Sequence, residues 1–208
     1  MDRRPAIASF CGFSGSVIAL IVLQILRPER SLRHSFVSEF AVGRYGVVMT
    51  VVFVILAMSS LLLEAAIRQA GDIPHRLCLL IRLTTVGLLV IAACRTDLND
   101  ASPRTLIGSI HNGVAVLTFV SAIGVMATIG YSHSISFPLA RLQPISRSAA
   151  AICTLTLTMM LSVIGIQHAH RPYLYAGLIE RVLIAAFLLW ACLSSFELAQ
   201  NRGETKVG

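Results

Sequence analysis

Arg95-Thr96-Asp97-Leu98-Asn99-Asp100-Ala101-Ser102-Pro103-Arg104, running on to Gly108-Ser109-Ile110-His111-Asn112, is a short polar island between two long apolar runs. The flanking runs, Leu77 to Cys94 and Ile107 to Ile129, are close to the ~20 residues that an α-helix needs to cross a bilayer. Apolar stretches this long, with so little polar chain between them, predict membrane spans rather than the core of a soluble domain.

The rest of the chain repeats the pattern. Four further runs, Ala6–Leu26, Gly46–Ile67, Ser148–Gln167 and Gly177–Leu198, bring the expected total to six. The fold class is therefore all-α: one six-helix transmembrane bundle occupying residues 1–208. Composition agrees, with 56% hydrophobic and 13% charged residues and a mean hydropathy of +0.79. Soluble proteins carry about 25% charged residues. The first run follows Asp2-Arg3-Arg4 and imitates a signal peptide, but it is long and has no small-x-small site after it, so we read it as a retained helix.

The net charge of +7 does not point to nucleic acid, because the basic residues are scattered over short loops instead of gathered on one face. Membrane lipid headgroups are the expected partners of those cations. The five cysteines form no CxxC pair and lie in or beside apolar runs, where free cysteine acts as a small hydrophobe. Glu64 and Arg68 stand four residues apart, and Arg82 lies across the next hairpin, which predicts an ion-pair cluster between the second and third helices.

Two more islands, Arg33–Tyr45 and His168–Arg181, share the character of the first. Alternation of sides places all three at one end of the bundle. Lys and Arg divide almost evenly: Arg3, Arg4, Arg68, Arg76, Arg141, Arg147, Arg202 and Lys206 on one side, and Arg27, Arg30, Arg33, Arg44, Arg95, Arg104, Arg171 and Arg181 on the other. The positive-inside rule does not decide between them. Fixing several island arginines in a site favours both termini in the cytoplasm. With Ser102 as N-cap and Pro103 and Pro172 opening helices, His111 and Glu180 come about 12 Å into their helices. Arg44, His111, Glu180 and Arg181 are then expected in one layer, with Glu39, Arg95 and Asp97 at its rim. Acids and arginines balance, which suits either a structural ion-pair network or a site, since ionisable groups in a membrane are costly.

The islands also carry a resemblance. Ser35-Phe36-Val37-Ser38 with Gly43-Arg44-Tyr45-Gly46, then Thr96-Asp97 with Gly108-Ser109-Ile110-His111, then Gly177-Leu178-Ile179-Glu180-Arg181, resemble the bacterial and archaeal membrane proteins grouped as domain of unknown function 998. The resemblance implies a six-helix fold in a prokaryotic plasma membrane and no settled activity. Arg95 departs from it, standing where a phenylalanine or a proline-rich approach to the aspartate is expected.

Four functions compete. In a membrane hydrolase or transferase for lipids, His111 would be the base, oriented by Asp97 or Glu180, with Ser38 or Ser109 as nucleophile. Arg44 and Arg181 would hold a phosphate or carboxylate headgroup, with Arg95, Glu39, Asn112 and Ser38 around the ligand. No cofactor is expected; a zinc variant would use His111, His168 and His170. A sensor, receptor or accessory subunit would bind a lipid or amphiphile without turnover. Transport ranks below these, since no helix is interrupted at its centre, and so does a haem carrier, which needs facing histidine pairs. A structural helper of a larger complex is the fourth. We expect handling of a lipid or other amphiphile.

Overall fold

The computed structural model describes residues 2–71, 73–98, 105–132, 139–166 and 175–200. Six helices make up most of it: α1 (Arg4–Leu26), α2 (Gly46–Ala70), α3 (His75–Ala93), α4 (Leu106–Tyr131), α5 (Gln143–Ile166) and α6 (Ala176–Gln200). Short 3₁₀ turns, Val37–Ala41 and Leu139–Leu142, precede α2 and α5. No strand occurs among the described residues. All six helices are long and apolar enough to cross a membrane. In hydrocarbon a helix satisfies its own backbone, which is why the apolar runs take this form. The protein is a six-helix, multi-pass membrane protein.

Each helix packs against the next in the chain, and α6 returns to α1, closing a ring. Outward faces carry large apolar side chains such as Ile18, Val47, Val86, Leu117, Leu155 and Leu189, which suit lipid. Inward contacts combine large apolar side chains such as Phe13, Met49 and Met126 with small residues and hydroxyls. The Ser9 hydroxyl donates to the Ser59 carbonyl (2.9 Å) and lies 2.9 Å from Ser195 Oγ, tying α1, α2 and α6 together. Trp190 Nε1 donates to Ser146 Oγ (2.9 Å) across α5 and α6. Several other hydroxyls bond back to their own helix, as Thr156 does to Ile152 and Thr158 to Thr154. At the end away from the islands, Glu64 accepts from Arg68 Nε (2.9 Å) and pairs with Arg82 Nη2 (3.1 Å). That is the cluster the spacing predicts.

Two helix starts differ from expectation, whereas α2 begins at Gly46 as expected, after a 3₁₀ turn that holds Ser38. α4 is capped by Thr105, whose hydroxyl accepts from the Gly108 N–H (2.9 Å); Ser102 and Pro103 lie outside the described residues. Pro172 also lies outside them, and α6 runs from Ala176. Glu180 and His111 are therefore about 6 Å and about 8 Å into their helices instead of about 12 Å.

Candidate functional site

The ring leaves a cavity of about 330 Å³ in its island half, lined by all six helices and the first 3₁₀ turn. Its polar side chains are Ser38, His111, Asn112, Glu180, Thr84 and Thr118. The two threonines lie deeper and bond to their own helices, at the Leu80 and Val114 carbonyls. Around them the wall is apolar, with Met49, Phe53, Leu88, Phe119 and Phe187 among its residues. Polar groups with free hydrogen-bonding capacity thus gather in the island half of the bundle, beside an otherwise largely apolar wall.

His111 is 1% exposed. Its Nδ1 lies 2.6 Å from the carbonyl of Cys94, the residue that ends α3. A carbonyl only accepts, so Nδ1 carries the proton and donates it, satisfying one of the orphan carbonyls of a helix end. In the neutral ring Nε2 is then an acceptor. It is buried and has no hydrogen-bond partner among the described residues. The Phe53 ring meets the imidazole edge-on, with centroids 6.4 Å apart.

Glu180 is 8% exposed. One of its oxygens accepts from the Val37 N–H (2.5 Å), holding the start of the 3₁₀ turn against α6. Among the described residues it makes no other hydrogen bond and no ion pair. Ser38 and Asn112 enter the same cavity from the 3₁₀ turn and from α4.

The expected layer of Arg44, His111, Glu180 and Arg181 is divided. Arg181 turns away from the cavity into an outer groove between α1 and α6. There it donates to the carbonyls of Leu32 (3.3 Å), Ser35 (2.7 Å) and Gly177 (2.9 Å) and to Gln24 Oε1 (2.8 Å). A side chain at Gly177 would collide with the Ser35 backbone, so glycine permits this approach of α6 to the first island. Arg44 is exposed, because residues 42–45 form a turn outside the ring instead of the first turn of α2; its guanidinium lies 4.7 Å from the Tyr45 ring centroid. Arg95 is also exposed.

The acids at the rim act on the backbone. Asp97 accepts from Thr105 N (2.7 Å) and Thr105 Oγ1 (2.8 Å), so it secures the residue that caps α4. It lies so close to Gly108 that any side chain there would strike its carboxylate. Glu39 is buried, accepts from the Phe36 N–H (3.0 Å) and pairs with Arg30 (3.3 Å).

Arg27 is the residue that sequence reasoning missed. It is 5% exposed and donates to the carbonyls of Val42 (3.0 Å) and Arg44 (2.7 Å) and to Glu29. The Arg27 hydrogen bond holds the Glu29 carboxyl below the usual carboxylate range. The turn that Arg27 clasps contains Gly43 at φ 81° and Tyr45 at φ 65°, and the left-handed region is rare for residues other than glycine. The available signal was a cation at the end of the first apolar run. Nothing in the sequence marked the Cys94 carbonyl as the partner of His111.

Among the described residues no three His, Cys, Asp or Glu side chains converge to hold a metal ion. His168 and His170, named for the zinc variant, lie outside the described residues.

The cavity also reaches outward. Gly113 on α4 and Leu161 on α5 line it, yet both are exposed, Leu161 by 43%. Among the described residues nothing lies within 4 Å of where a Gly113 or Gly165 side chain would start. At the other end of the same pair, Arg147 Nε donates to the Gly130 carbonyl (2.5 Å). α4 and α5 are thus joined away from the islands and open near them.

A family model described as "Protein of unknown function (DUF998)" matches residues 10–197. No match was found among curated proteins or among solved structures. The family match spans well over half of the chain, so the chain belongs to that family.

Proposed function

We propose that this member of the DUF998 family binds a lipid or other amphiphile inside its helical ring, the polar head at Ser38, His111, Asn112 and Glu180 and the apolar part in the chamber below. One observation carries the proposal: the unpartnered Nε2 of His111 lines the cavity with Ser38, Asn112 and Glu180, and the rest of the wall is apolar but for two threonines bonded to their own helices. That division matches an amphiphile. The volume of about 330 Å³ falls within the roughly 300–1,000 Å³ of small-molecule sites. Buried polar atoms are normally paired, so the free Nε2 of His111 is a place for a ligand donor.

Native mass spectrometry of the detergent-purified protein tests this. An amphiphile retained by the wild type and absent from a folded His111→Ala variant supports binding at this layer. An empty protein whose His111→Ala variant only melts earlier would leave a structural network and sink the proposal.

Hydrolysis is a second reading, favoured by the His111 tautomer, which presents a base with its other nitrogen anchored. Ser38 Oγ would attack an ester or amide carbonyl of the bound amphiphile and pass its proton to Nε2. That proton would leave with the alcohol or amine, and water would release the acyl group. Binding that survives in Ser38→Ala with no turnover in either protein favours a sensor or accessory subunit instead.

A further inference from the structure

We infer that the cavity takes a single-chain amphiphile with a neutral or cationic, hydrogen-bond-donating head, such as an amine or a polyol, and discriminates against anionic lipids. This rests on the amphiphile-binding reading above and adds the chemical class.

Its basis is which charges face the cavity and which do not. Glu180 is the one acidic side chain among the described lining residues, and none of them is an arginine or lysine. Its single hydrogen-bond partner is the Val37 N–H, and no cation pairs with it within ion-pair distance among the described residues. The nearby arginines are engaged or displaced: Arg27 and Arg181 hold backbone carbonyls, Arg30 pairs with Glu39, and Arg44 is exposed. A phosphate or carboxylate head would meet this buried acid with no cation lining the cavity to pair with it, whereas an amine or hydroxyl head can donate to it.

Hydrogen-bond polarity agrees. His111 Nε2 and the second Glu180 oxygen are acceptors without partners among the described residues, while Ser38 and Asn112 can both donate and accept. A head that only accepts would leave two acceptors facing it. A head with N–H or O–H groups satisfies them. The chamber is at the small end of ligand sites, about 330 Å³, which suits one chain better than the two chains of a phospholipid.

The test uses the full-length protein in phosphatidylcholine nanodiscs, titrated by native mass spectrometry with oleylamine, monoolein, oleate and oleoyl lysophosphatidate. Oleylamine and monoolein are expected to bind at least about tenfold more tightly than either anion, a gap of about 1.4 kcal/mol. Glu180→Gln keeps an acceptor for the Val37 N–H. It is expected to abolish the preference of oleylamine over oleate. Oleate or lysophosphatidate binding as tightly as oleylamine to the wild type would overturn the inference and leave amphiphile binding standing. If none of the four binds, both fail together.

Discussion

His111 joins α3 to α4 with one ring nitrogen and leaves the other unpartnered beside a cavity. Replacing it with alanine frees the Cys94 carbonyl, and an unsatisfied buried group costs about 1–3 kcal/mol. A lower melting temperature is therefore expected whatever the site does; only loss of a retained amphiphile separates a site from a scaffold. Two arginines make a sharper contrast. Arg27 is buried and clasps a turn with two positive-φ residues, whereas Arg44 is exposed over Tyr45. Arg27→Ala strands two carbonyls and is expected to destabilise by roughly 1–3 kcal/mol. Arg44→Ala removes at most an exposed cation–π contact of about 0.5–1 kcal/mol. Thermal melts of the two variants in one detergent decide the order, and equal losses would contradict the clasp.

At the scale of elements, α4 carries His111 and Asn112, two of the four polar groups proposed to hold the head, and its first turn is held by Thr105 and Asp97. Asp97→Ala removes both bonds to Thr105 and is expected to cost about 0.5–2 kcal/mol, the usual value of a helix cap. Hydrogen exchange should then rise at the start of α4 and not in α1. The opening between α4 and α5 gives a different prediction. Gly113 is exposed and nothing among the described residues lies within 4 Å of where its side chain would start, so a larger side chain meets no collision at its Cβ. The change also removes a helix glycine, which is worth up to about 1 kcal/mol. Gly113→Phe is expected to fold normally and to slow release of a bound amphiphile, read as its dissociation rate. Unchanged exchange would mean that ligands do not pass between these helices.

The whole molecule is a ring closed by α6 against α1, with the Glu64–Arg68–Arg82 cluster at one end and the islands at the other. Both termini are expected in the cytoplasm. A cysteine replacing exposed Leu32 should then react with a membrane-impermeant thiol reagent on intact cells, above the background of the native cysteines. One replacing exposed Gln69 should not; the reverse pattern would invert the topology. The six spans were legible because lipid imposes a simple rule, about 20 apolar residues for each crossing. The Glu64 cluster was legible because helix spacing and a short hairpin determine who meets whom. That His111 and Glu180 lie in the island half of the bundle also followed from alternation of sides. Their common cavity did not follow from depth alone, and neither did the departure of Arg44 and Arg181 from it. An arginine can reach several ångströms in any direction, and its final place depends on which carbonyls a folded loop leaves open. By itself, then, the sequence determined the solvent, the number of helices and the end at which polar groups collect, since these depend on hydropathy and chain order. Which of those groups face one another, and that no arginine joins them among the described lining residues, only the tertiary structure decided, because backbone carbonyls of the first island compete for the guanidinium groups.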